Sequence, residues 1–193
     1  YRDRDECKYS ASELGVKNVV YMPYVSFDVD SVINRVYQSN FTSQDARAVI
    51  NDYYFSALTG EAKQCFSKLF DVLQDEANYP IIISSHYGKG CSDLASLFIL
   101  YSLGVAVDEV YEDYTWANKY FCKGRIMSKI SHLPTDVREA VASVIHNNHR
   151  DIANVINALE GTYGSIDGYM IDSLNLSLDK RKRIHQILLV DES

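Results

Sequence analysis

The densest chemistry in this chain lies in Ser84-Ser85-His86-Tyr87-Gly88-Lys89-Gly90-Cys91-Ser92, between an isoleucine triplet and a long apolar run. Two glycines let the backbone turn back on itself, and Lys89 adds a positive charge. A loop that enters a helix aims unsatisfied first-turn N–H groups at one point, and the helix dipole favours negative charge there. Ser85, His86, Tyr87, Gly88, Lys89 and Gly90 are therefore the candidate anion contacts. His86 is also a candidate nucleophile, against the plainer reading of a solvated loop histidine. Cys91 stands at a helix start, where a thiol pKa can fall.

Other reactive residues point to chemistry less directly. Cys7, Cys65, Cys91 and Cys122 are scattered without a C-x-x-C pair, which fits free thiols rather than a zinc module or a disulfide scaffold. His146 and His149 lack a companion carboxylate motif and read as a surface helix rather than a metal site. Lys180-Arg181-Lys182-Arg183 reads as the exposed face of a last helix, with a partner-binding patch as the alternative. Neither a cofactor nor a metal is expected.

The elements that position these residues follow from hydrophobic spacing. Ile81-Ile82-Ile83 is a β-branched run of the kind that forms an interior parallel strand, and Lys17 to Val25 reads as a second buried strand. Helices are predicted around Val32, Ile33, Val36 and Tyr37, and again after Thr42-Ser43-Gln44-Asp45, which has capping-box form. Ala62, Cys65, Phe66, Leu69, Phe70 and Leu73 follow the i, i+3, i+4, i+7 rule up to Asn78-Tyr79-Pro80. A further helix carries Leu94, Leu97, Phe98, Leu100 and Tyr101 and closes at Gly104. Downstream, helices are expected over Asp108 to Phe121, after Pro134, through Ile152 to Leu159 before Gly161, over Ile166 to Ser173 and from a Ser177 cap. Helix, buried strand, glycine loop and helix make an α/β unit whose loop lies where such folds place ligands.

With 193 residues, 47% of them hydrophobic, the chain is long enough for one core, and a single domain over 1–193 is expected. A net charge of −7 without a clustered basic face argues against a general nucleic-acid binder. No run approaches a membrane span, so a soluble protein is expected, cytoplasmic unless an upstream export signal has been removed.

The stretch from Asn78 to Val105 resembles the phosphate loop of the cysteine-dependent tyrosine phosphatases, in particular the bacterial tyrosine and phosphoinositide phosphatase branch with its H-C-x-x-G-K-D-R-T-G signature. Val110-Tyr111-Glu112-Asp113-Tyr114 and Asn118-Lys119-Tyr120-Phe121 are similar to that branch's next helix, and Tyr163 to Tyr169 to its Y-G-S-x-x-x-Y segment. Arg2 and Arg4 lie in a stretch faintly like its D-L-R-S motif. The resemblance implies a three-layer α/β fold, with a central, mainly parallel sheet flanked by helices and a helix-rich C-terminal half, here without the N-terminal part of the domain.

Laid on this loop, the signature places the family's histidine at Ser84, its nucleophilic cysteine at Ser85, its acid at Gly90, its arginine at Cys91 and its last glycine at Asp93. A serine lacks the accessible anion that attacks phosphorus, and a thiol cannot hold two phosphate oxygens as a guanidinium does. Gly90 also removes the general acid. The expectation is a pseudophosphatase that binds a phosphorylated ligand or a protein partner. The alternatives are a working protein-tyrosine or phosphoinositide phosphatase, and a structural half of a longer or duplicated protein.

Overall fold

The computed structural model describes residues 15–16, 18–22, 29–38, 41–60, 62–85, 90–121 and 123–189. The charged start with Cys7, Arg2 and Arg4 and the position of Cys122 lie outside the described residues.

Thr42 starts the helix around which the others pack. Its hydroxyl accepts the Asp45 N–H, while the Asp45 carboxylate accepts the Thr42 N–H at 2.8 Å, the reciprocal capping box read from the sequence. The Thr42 hydroxyl also donates to that carboxylate at 2.6 Å, and this bond, then the one from the Thr42 N–H, holds the Asp45 carboxyl below its ordinary pKa. From that cap α2 (Ser43–Thr59) turns Ala46, Val49, Ile50, Tyr53, Tyr54, Ala57 and Leu58 inward and packs against α3 (Ala62–Leu73), α7 (Thr135–Ile145) and α8 (His149–Tyr163). The preceding helix, α1 (Val29–Gln38), buries Val32, Ile33 and Val36 and leaves Tyr37 outside, stacked on His132.

The i, i+3, i+4 pattern of α3 is buried as its spacing requires, and a 3₁₀ turn over Glu76–Asn78 follows it. Then α4 (Cys91–Ser102) inserts Leu94, Leu97 and Phe98, with Phe98 between Phe66 and Tyr169 at centroid distances of 5.2 and 5.6 Å. Tyr169 donates its hydroxyl to the Leu58 carbonyl at 2.9 Å, which satisfies the one polar atom the ring carries inside. Helix α5 (Val107–Tyr120) lies against α4 and α8. Helices α6 (Lys123–Lys129), α9 (Ile166–Asp172) and α10 (Leu178–Leu188) complete the order among the described residues, and one apolar cluster draws residues from each of these helices, α1 to α10. No described helix is long and apolar enough to cross a membrane.

The expected three-layer α/β fold with a central parallel sheet is corrected by this arrangement: no strand occurs among the described residues, and the core is helix on helix. Ile81, Ile82 and Ile83 have no regular structure and are not paired in a ladder, with Ile82 65% and Ile83 40% exposed. Of the other strand candidate, the described residues 18–22 have no regular structure, and Val19, Val20 and Tyr21 face outward. β-Propensity measures fit to a pleated, half-buried surface rather than a backbone preference, so these residues do not make strands without neighbours.

Smaller corrections follow the same logic. Helix α8 runs through Gly161 and ends at Gly164, whose φ of +78° supplies the left-handed cap. Helix α6, with only Ile126 buried in its span, went unforeseen. The basic quartet of α10 is strapped to its own fold, Lys180 to Asp71, Arg181 to Asp167 and Arg183 to Glu76, which leaves little of it as a partner-binding patch. Pairs as exposed as these contribute about 0–1 kcal/mol each.

The contrast between α4 and the triplet predicts unequal mutational costs. Phe98→Ala is expected to lose about 3–5 kcal/mol in a urea unfolding titration, whereas Ile82→Thr stays within about 0.5 kcal/mol of the native chain. A multi-kilocalorie loss at position 82 would return the triplet to a buried sheet.

Candidate functional site

Gly90 turns the chain into α4 with φ +75°, a left-handed value that glycine adopts without strain. The geometry also leaves room for nothing larger. A Cβ at this position would lie 2.1 Å from the Tyr53 hydroxyl oxygen and 2.6 Å from its Cζ. The position that the resemblance gives to a general acid is therefore filled by a tyrosine ring from α2. The same hydroxyl lies 3.5 Å from Cys91 Sγ. Burial pushes the Cys91 thiol up from 9.0 to about 11, more than the hydrogen bond from Tyr53 lowers it. At neutral pH only about one thiol in ten thousand would be ionised, so the helix start has not activated this cysteine.

Asp93, one turn into α4, is the buried charge of the region. Its Oδ2 accepts the Gly90 N–H at 2.7 Å and an Asn147 amide hydrogen at 3.3 Å. Asn147 also donates to the Tyr114 carbonyl at 2.8 Å and exchanges two 2.8 Å bonds with Asn118, through its own N–H and carbonyl. Nearby, the Tyr54 and Tyr114 hydroxyls meet at 2.7 Å, and burial raises both phenols well above their ordinary pKa. Tyr53, Tyr54, Gly90, Tyr114, His146 and Asp151 line a cavity of about 20 Å³, room for a single water rather than a substrate.

Of the candidate anion contacts, Ser85 and Gly90 are described, while His86, Tyr87, Gly88 and Lys89 lie outside the described residues. Ser85 Oγ is 2.9 Å from Ser92 Oγ, so the residue at the nucleophile's position bonds to a serine of the first turn of α4.

Of the two histidines expected on a surface helix, exposed His149 is the first residue of α8, whereas exposed His146 lies in a loop. Residues 146–148 form the loop between α7 and α8, with His146 Nδ1 2.7 Å from Lys123 Nζ and His149 beside the Tyr111 ring. No group of three or more histidine, cysteine or acidic residues forms a metal site among the described residues. Sequence reasoning missed Asn147 and the role of Asp93. An acidic residue in a first turn is a visible signal, whereas nothing local marks Asn147, whose acceptors lie 33 and 54 residues away.

A family model described as "Tyrosine phosphatase family" matches residues 1–190. No curated protein matches the chain significantly.

Two outcomes follow from the packing at Gly90 and Cys91. A group whose folded pKa is raised loses its contribution to stability as pH rises through that value, so the stabilisation from the protonated Cys91 should be complete below pH 9 and fade towards about 11. Iodoacetamide labelling of Cys91, followed by peptide mass spectrometry, should accelerate about tenfold per pH unit over the alkaline range below that value. A rate already level at neutral pH would contradict the buried thiol. Separately, Gly90→Ala should cost about 1–3 kcal/mol, and part of that cost should vanish in a Tyr53→Leu background. Equal costs in both backgrounds would place the strain in the backbone alone.

Proposed function

Starting from the fact that this chain belongs to the tyrosine phosphatase family, we propose that it is a member that does not turn over phosphate monoesters and works by binding a partner. The observation that carries this reading is the entry to α4. Phosphoryl transfer through a cysteine needs a thiolate, a group to hold the equatorial oxygens and an acid for the leaving oxygen. At this entry Ser85 is bonded to Ser92, Cys91 is a half-buried thiol with a raised pKa and Gly90 is closed in by Tyr53. None of the three supplies the missing charge.

The loop sequence suggests two kinds of ligand, a phosphorylated group at Ser85 to Gly90 and a protein partner. The second is favoured. Asp93 already places a carboxylate at the helix start, while Ile82 and Ile83 stand exposed just ahead of the loop, apolar surface of the kind a protein partner covers. The branch of the family closest to this loop, the tyrosine and phosphoinositide phosphatases, belongs to the same reading. Family membership itself favours the opposite view, a working phosphatase, and one assay separates the two.

Hydrolysis of p-nitrophenyl phosphate by the native chain should not exceed the rate of the buffer. Ser85→Cys together with Cys91→Arg should not restore it, since Gly90 and Tyr53 still exclude the acid. Native turnover that Cys91→Ser or Ser85→Ala abolishes would overturn the proposal.

A further inference from the structure

Helix α5 turns one face to the core and the other to solvent. Val110 and Tyr114 are buried, and Asn118 is tied to Asn147 by two 2.8 Å bonds, which fixes the rotation of the helix. Opposite them stand Glu109, Glu112, Asp113, Trp116 and Tyr120, all exposed, at the i, i+3, i+4, i+7, i+11 spacing of one helical face. Trp116, the single tryptophan of the chain, is 55% exposed and Tyr120 73%, and neither ring belongs to the apolar cluster.

Those two rings already take a cation. The Lys119 ammonium lies 4.8 Å from the Trp116 ring centroid and 5.7 Å from that of Tyr120, within the range over which the negative face of a ring attracts positive charge. A face of acids alone would be ordinary solvated surface. Here it runs directly into aromatic rings whose observed contact shows the chemistry they accept. Lys119 is the one base in the α5 sequence, against Asp108, Glu109, Glu112 and Asp113. No ion pair engages Asp108, Glu109 or Glu112 among the described residues.

We infer that the outer face of α5 docks a basic segment of another protein. An arginine or lysine head seats on Trp116 and Tyr120 in place of Lys119, and the neighbouring positive charges of the segment lie along Glu112 and Glu109. Exposed tryptophan, tyrosine and lysine also occur where proteins meet a membrane, and charge decides between the two occupants. The carboxylates one turn before Trp116 are repelled by anionic lipid, as they are by nucleic acid, and attract a polybasic chain. The inference rests on α5 alone and not on the chemistry of the α4 entry.

The test uses the full chain and a capped, fluorescein-labelled hexa-arginine peptide followed by anisotropy, with an unlabelled copy titrated against tryptophan emission. Both signals should saturate in the native chain, because its one tryptophan lies in the site. Glu109→Gln together with Glu112→Gln should weaken binding about five- to tenfold, and Trp116→Leu about three- to fivefold. Asp113 is left intact because it accepts a 2.6 Å bond from Ser96 of α4. Lys119→Ala, which vacates the rings and removes a like charge, should tighten binding. Asp136→Asn together with Glu139→Gln, at exposed positions of α7, should leave it unchanged. All of these side chains are exposed, so the fold should survive their replacement. No saturable change in tryptophan emission, equal weakening by the α7 pair, or tighter binding to phosphatidylserine vesicles than to the peptide would overturn the inference. Aryl phosphate turnover by the native chain would sink the reading of the α4 entry and leave this surface in place.

Discussion

A carboxylate withdrawn from water has to be met by donors, and the region around α4 is arranged to meet the one on Asp93. Its bonds to Gly90 and Asn147 join the start of α4 to the 146–148 loop, and Asn147 extends the link to α5 through Asn118 and Tyr114. Leaving a buried polar group short of its hydrogen-bond partner costs about 1–3 kcal/mol, and more where the group is charged. The exposed pairs that strap α10 to Asp71, Asp167 and Glu76 contribute far less each. Magnitude therefore identifies the Asp93 clamp, not the more conspicuous basic quartet, as the polar contact on which this part of the fold depends.

That clamp explains how the neighbouring positions pack. Once Gly90 is drawn down onto Asp93, its α-carbon lies against the Tyr53 ring, and Tyr53 in turn covers Cys91. The cysteine gains burial and loses ionisation, the opposite of what a nucleophilic thiol needs. The space left among Tyr53, Tyr54, Tyr114 and Asp151 admits about one water. Phosphoryl transfer and close packing make competing demands on the same space, and the described side chains around Gly90 and Cys91 are closely packed.

What could be read in the sequence was local. The Thr42–Asp45 box lies within one turn, and the spacing of Phe66, Leu69, Phe70 and Leu73 needs only the helix that carries it. The family likeness was equally visible because motifs are contiguous. What could not be read was set by distant partners. Asn147 appears as one polar residue among neighbours until Asp93, Tyr114 and Asn118 come beside it. The isoleucine triplet has the composition of a strand, but a strand is a relation between two segments, and no ladder forms among the described residues. Gly161 failed as a stop signal because its φ is ordinary and the left-handed residue is Gly164.

The missing ladder also bears on the site. A loop between a paired strand and a helix is held at both ends, so its N–H groups can be aimed from either side. Here the segment from Ile81 to Ser85 has no regular structure and is mostly exposed, and it meets the helix through the Ser85–Ser92 contact. The described geometry of the entry comes from the helix side: the left-handed Gly90, the Asp93 carboxylate behind it and the Asn147 amide that fixes that carboxylate. Preorganised donors stabilise a developing charge only when the scaffold leaves them unoccupied and aimed at substrate. In this chain the Gly90 N–H and the Asn147 amide are both directed to the Asp93 carboxylate, so the geometry of the helix entry is set by its own side chains.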